Sequence, residues 1–161
     1  MLKIIVVFMS MTLLLGAKES KIDKEKKNVK KIEKVETPTS TLAKENIVTE
    51  EYNATLNYKK ISSINEINSL TLDIKPKGEW HINTDFPIKF KVNANCLKAD
   101  KVKYKKKDAK TVTKKNILLN INAKCNKKTN DEITLTGAFG VCKANMCKRK
   151  TLKVKAKVEV K

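Results

Sequence analysis

Residues 151–160, Thr151-Leu152-Lys153-Val154-Lys155-Ala156-Lys157-Val158-Glu159-Val160, decide the fold class. Leu152, Val154, Ala156, Val158 and Val160 alternate with Lys153, Lys155, Lys157 and Glu159. A period of two sends all five apolar side chains to one face of a β-strand and the charges to the other. The same alternation runs upstream through Leu70, Leu72 and Ile74, through Ile88, Phe90 and Val92, through Val102 and Tyr104, and through Ile117, Leu119, Ile121 and Ala123. Ile133, Leu135, Gly137 and Phe139 continue it. Pro76-Lys77-Gly78 and Pro87 punctuate the runs as turns and strand starts. Six or more short antiparallel strands, each wet on one face, predict an all-β sandwich over residues 69–161.

Between the last two of these strands lies Val141-Cys142-Lys143-Ala144-Asn145-Met146-Cys147-Lys148-Arg149-Lys150. Cys142 and Cys147 flank the four residues Lys143–Met146, the spacing of a hairpin tip. Facing Cα atoms in a non-hydrogen-bonded antiparallel pair lie about 4.5–5.5 Å apart, close to what a disulfide spans. A bridge at such a tip is accessible and closes a short ring, which makes it a candidate redox pair.

The chain begins Met1-Leu2-Lys3, followed by the apolar run Ile4–Leu15 and the small residues Gly16-Ala17. A positive start, an apolar stretch of about a dozen residues and a small-residue end describe a secretory signal peptide over residues 1–17. The run is shorter than the roughly 20 residues of a membrane-spanning helix, and no later segment is apolar enough to span. The expectation is a periplasmic or secreted protein with no transmembrane span after cleavage. In such a compartment thiols pair. Four cysteines, Cys96, Cys125, Cys142 and Cys147, allow three fully paired connectivities, which sequence does not distinguish. Cys96 and Cys125 each end a predicted strand, so a structural disulfide between them is expected. Its ring of about 30 residues would contribute on the order of 3–4 kcal/mol.

Residues 18–68 read as a lysine- and glutamate-rich tether, mostly disordered: residues 18–36 have too little apolar surface to fold unaided, and residues 42–68 keep neither helical nor strand period for long, leaving open that their last part docks onto the domain. The net charge of +19 is concentrated beyond it: residues 69–161 carry 24 Lys or Arg against 8 acids. That field attracts an anionic surface or partner. Arg149 is the only arginine, so no specific nucleic-acid reader is indicated. Glycine-rich phosphate loops and serine–histidine–acid patterns are absent, and no cofactor is called for.

Two motifs carry a family resemblance. Gly78-Glu79-Trp80-His81-Ile82-Asn83 resembles the Gly-Trp-His turn of the amino-terminal, periplasmic, immunoglobulin-like domain of the bacterial thiol:disulfide interchange protein (DsbD) family and its stand-alone relatives. Leu135–Cys147 is similar to that family's strand, small apolar residue, Cys, short turn and Cys. The similarity covers residues 69–161. It implies an immunoglobulin-like sandwich in which Cys142 and Cys147 form the redox pair, working with a periplasmic thioredoxin-like or other redox protein. Three departures stand beside it. Transmembrane and thioredoxin-like parts are missing, Lys148-Arg149-Lys150 replaces the family's prolines, and Cys96 and Cys125 are additional.

The chemistry at Cys142 and Cys147 has three readings: exchange through a mixed disulfide, a static staple, or a metal site. For exchange, the cations Lys143, Lys148 and Arg149 would stabilise a thiolate. The spacing lies at the edge of a zinc knuckle and no second knuckle accompanies it, so metal is not expected. His81 is expected in a packed turn with Trp80 in the core, and nothing in the sequence places it near a cysteine as a catalytic pair would need. The rival function is a non-enzymatic binding module whose four cysteines are all staples and whose cationic surface binds an anionic partner.

Overall fold

Alternating side chains become alternating burial along each long strand of the computed structural model, which describes residues 42–161. The predicted signal peptide and the first part of the tether lie outside the described residues. Twelve strands follow in order: β1 (Leu42–Val48), β2 (Tyr52–Lys59), β3 (Ile61–Ser62), β4 (Asn68–Pro76), β5 (His81–Asn83), β6 (Lys89–Asn93), β7 (Lys98–Ala99), β8 (Lys103–Lys105), β9 (Thr111–Val112), β10 (Ile117–Lys124), β11 (Thr129–Lys143) and β12 (Met146–Val160). They form an all-β sandwich of two six-stranded sheets. One runs β1-β2-β4-β10-β7 with β9 also on β10; the other runs β3-β12-β11-β6-β8 with β5 also on β11. Every pairing is antiparallel except β3 with β12.

The domain starts earlier than Ser69, which corrects the tether boundary read from the sequence. Residues 42–62 supply β1, β2 and β3, and β2 is an inner strand of the first sheet. Tyr52, Ala54, Leu56 and Tyr58 point from β2 into the core, so this segment is bound by apolar burial. The Tyr58 hydroxyl donates to Glu45 at 3.2 Å and the Tyr52 ring meets Phe139 edge-on at 5.0 Å, a contact between the two sheets.

Leu56, Leu72, Leu119 and Ile121 from the first sheet and Ile133, Phe139, Val141 and Ala156 from the second are fully buried in one core. Cys96, in the loop after β6, is bonded to Cys125, directly after β10, with Cα atoms 5.2 Å apart. Both are buried; Cys96 sits on the crossover from β6 to β7, two residues before Lys98, which faces Lys124, so the bridge ties that crossover to the end of β10. Beside it the buried Asp131 carboxylate accepts backbone N–H groups of Cys96 and Leu97, both at 2.7 Å, and of Asn95 at 3.3 Å. Burial alone would raise the Asp131 pKa. The N–H donors of Leu97, Cys96, Asn95 and Glu132 outweigh it and leave the carboxyl below its ordinary range.

Candidate functional site at the β11–β12 hairpin tip

β11 and β12 pair over their whole length, from Thr129 opposite Val160 to Lys143 opposite Met146. The turn is therefore two residues, Ala144-Asn145, shorter than the four counted from the sequence. Ala144 has φ of 47°, in the left-handed region that such turns usually give to glycine. A side chain there costs about 1–2 kcal/mol, so the tip stores backbone strain. A two-residue turn makes Lys143 and Met146 the hydrogen-bonded pair, and alternation then puts Cys142 and Cys147 at a narrow, non-hydrogen-bonded position. They are disulfide-bonded, with Cα atoms 4.1 Å apart.

The two sulfur-bearing residues are unequally covered. Cys142 is 5% exposed, whereas Cys147 lies open at the end of the outer strand pair. Cover over Cys142 comes from β5, which runs along the other side of β11 and places His81 opposite Cys142. The loop after β5 folds back because the Asn83 side-chain oxygen accepts the N–H groups of Asp85 at 3.0 Å and Phe86 at 3.2 Å. Phe86 then lies against Gly140, two residues before Cys142. A β-carbon at 140 would come within 2.8 Å of the Phe86 side chain, so only glycine admits this lid.

On the outward face, one row across the sheet reads Cys147, Cys142, His81 and the next reads Arg149, Gly140, Asn83. Arg149 thus shares the disulfide's face. Lys143 and Lys148, the other cations expected to stabilise a thiolate, alternate to the opposite face and are engaged elsewhere. Lys143 is 2.8 Å from Glu79, a hydrogen-bonded pair that raises the lysine pKa and lowers that of the glutamate. The Lys148 ammonium is 3.1 Å from Glu51 and stands 4.9 Å from the centre of the Trp80 ring. Lys150 reaches the same Glu51 oxygen at 2.5 Å. Hydrogen bonds from Lys150 and Lys148 hold the Glu51 carboxyl down to about 2. These inward-pointing lysines overhang the end of the core, and both pair with the buried Glu51 carboxylate.

Sequence reasoning missed three members of this site. Nothing in the sequence placed His81 near a cysteine; the β5–β11 register sets it beside Cys142, at the ~4.5–5.5 Å between Cβ atoms typical of cross-strand neighbours. Trp80 is half-buried at the core's edge and meets Lys148, where a core position was expected. Glu51 lay in the assumed tether and carried no signal. Among the described residues no group of three or more His, Cys, Asp or Glu is placed to hold a metal, and no helix is long and apolar enough to cross a membrane. Scanned against protein-family models the chain matches none, and no curated protein matches it.

Proposed function

We propose that the protein is an exported thiol–disulfide exchange module, similar in action to the amino-terminal domain of the DsbD family, that passes two electrons between itself and another envelope protein through Cys142 and Cys147. One observation carries the reading: the disulfide sits at a strained hairpin tip with one cysteine open and the other covered. An incoming thiolate has a clear approach only to Cys147.

In the direction that reduces this chain, a partner thiolate attacks Cys147 Sγ. The Cys142–Cys147 bond breaks, and its electron pair leaves with Cys142 as thiolate. The partner's second thiolate then attacks the partner sulfur of the mixed disulfide and releases Cys147 as thiolate. The partner becomes a disulfide, this chain becomes a dithiol after taking up two protons, and two electrons have moved. His81 is positioned beside the leaving Cys142 sulfur, and Arg149, next but one to Cys147 on the same face, lowers the cost of the negative charge that develops there. The buried Cys96–Cys125 bridge stays closed and holds the β6–β7 crossover to the end of β10 throughout.

Partial reduction tests this. The protein is treated with increasing dithiothreitol, quenched with an alkylating agent and mapped by peptide mass. Cys142 and Cys147 should be modified while Cys96 and Cys125 are still paired. Modification of Cys96 or Cys125 first, or a hairpin pair that opens only on unfolding, would remove the basis for the assignment.

A further inference from the structure

The face that carries the disulfide continues for three more rows, and their composition is one-sided. Below Arg149 and Gly140 comes the row Thr151, Ala138, Lys89, Lys105, and below that Lys153, Thr136, Lys91, Lys103. Ala138 and Thr136 make a low floor along β11, bounded towards the hairpin tip by the Phe86 side chain over Gly140. Arg149 and Lys153 rise on one side, and Lys89, Lys91, Lys103 and Lys105 on the other. The result is an open trough of about 870 Å³. All six cations are exposed, and none is paired with a carboxylate among the described residues. On the opposite face of the same hairpin, Lys143, Lys148 and Lys150 are all paired.

The arrangement costs stability. Lys89 stands directly opposite Lys105, and Lys91 opposite Lys103, and like charges facing across strands repel. Edge lysines discourage sheet-to-sheet aggregation, which accounts for β8. It does not account for Lys89 and Lys91 on β6, which is paired on both sides. Arg149 lines the end of the trough nearest the hairpin tip, and Cys147 lies two residues away on the same face of β12, ~7 Å along the strand.

We propose that this trough docks an acidic, extended segment of the exchange partner and aims the partner's thiol at Cys147. The inference rests on the exchange reading above and names the partner's chemistry. Charge complementarity selects the occupant, and the narrow small-residue floor suits a peptide backbone. The large aromatics of these strands, Phe90 and Tyr104, are buried in the core, so the trough offers no platform on which nucleic-acid bases would stack.

The test uses two synthetic peptides, six glutamates followed by cysteine and six glutamines followed by cysteine, as reductants of the oxidised protein. The expected result is at least a tenfold faster opening of Cys142–Cys147 by the glutamate peptide at low salt, with the advantage lost in ~0.5 M salt. Lys89→Glu/Lys91→Glu should abolish the advantage while raising the melting temperature, since it replaces two repelling pairs with attracting ones. The same charge change at Lys98 and Lys115, which lie outside the trough, should leave the advantage intact. Equal rates for the two peptides would overturn the trough and leave exchange standing. Failure of both to open the pair, with salt-sensitive binding of a cysteine-free glutamate peptide, would uphold the trough and overturn exchange. Tighter binding of a twelve-residue oligothymidylate or of phosphatidylglycerol vesicles than of the glutamate peptide would overturn the choice of a protein partner.

Discussion

Removing each bridge separately should cost unequal amounts of stability, because the two disulfides close rings of very different size. The separations are 29 residues for Cys96–Cys125 and 5 for Cys142–Cys147. Loop-closure entropy assigns ~3.6 kcal/mol to a ring of about 30 residues and ~2.2 kcal/mol to one of about six at 25 °C. A domain of about 120 residues has roughly 6–18 kcal/mol in all, so both variants should fold, the hairpin variant with the larger margin. The assay is urea unfolding of the Cys96→Ala/Cys125→Ala and Cys142→Ala/Cys147→Ala proteins beside the parent. With a slope near ~1.5 kcal/mol/M, the long-bridge variant should unfold about 1 M earlier than the hairpin variant. A chain that can open its hairpin bridge without losing its fold is what the exchange reading needs. If the hairpin variant were the less stable of the two, the division into working pair and structural staple would be wrong.

Three further outcomes follow from the same geometry. Cys142→Ser leaves the exposed Cys147 thiol, and Cys147→Ser leaves the covered Cys142 thiol; the first should react with a disulfide reagent such as dithionitrobenzoate at least ~10-fold faster, and comparable rates would deny the cover that β5 gives Cys142. Glu51 has a folded pKa of about 2 against an ordinary 4.5, so its stabilisation is complete above about pH 4.5 and fades as pH falls toward 2. Asp131, also lowered, acts in the same direction, and Glu51→Gln should therefore make urea midpoints fall less steeply between pH 5 and pH 2 than in the parent. Gly137→Ala would put a β-carbon 2.1 Å from the Phe90 ring, and the forced shift should cost ~1–3 kcal/mol by urea unfolding; an unchanged midpoint would mean that Phe90 packs elsewhere.

The strands with aliphatic alternation, β10 and β12 above all, were legible because Ile, Leu and Val mark one face without ambiguity. β2 alternates just as strictly, but its inward positions are Tyr52, Ala54, Leu56 and Tyr58, and tyrosine and alanine are weak markers of burial when aliphatics are counted. β1 is a largely exposed edge strand and has no buried face to announce it. The spacing of Cys142 and Cys147 marked a hairpin tip at which the two could pair, but the choice among the three connectivities depends on the fold. His81 beside Cys142 depends on the register of β5 against β11, a relation between segments some 60 residues apart that leaves no local trace. The lysines divide in the same way. Their number was plain in the sequence, but which of them pair with Glu51 and Glu79 and which line an unpaired face depends on the fold.

The reduction potential of the Cys142–Cys147 pair tests the central claim most directly, measured by equilibrating the oxidised protein in glutathione or dithiothreitol buffers and counting alkylated thiols. Exchange predicts a value within roughly −180 to −270 mV, the span of proteins that trade disulfides. A value below about −300 mV, where structural bridges lie, would make the hairpin pair a staple and contradict the account.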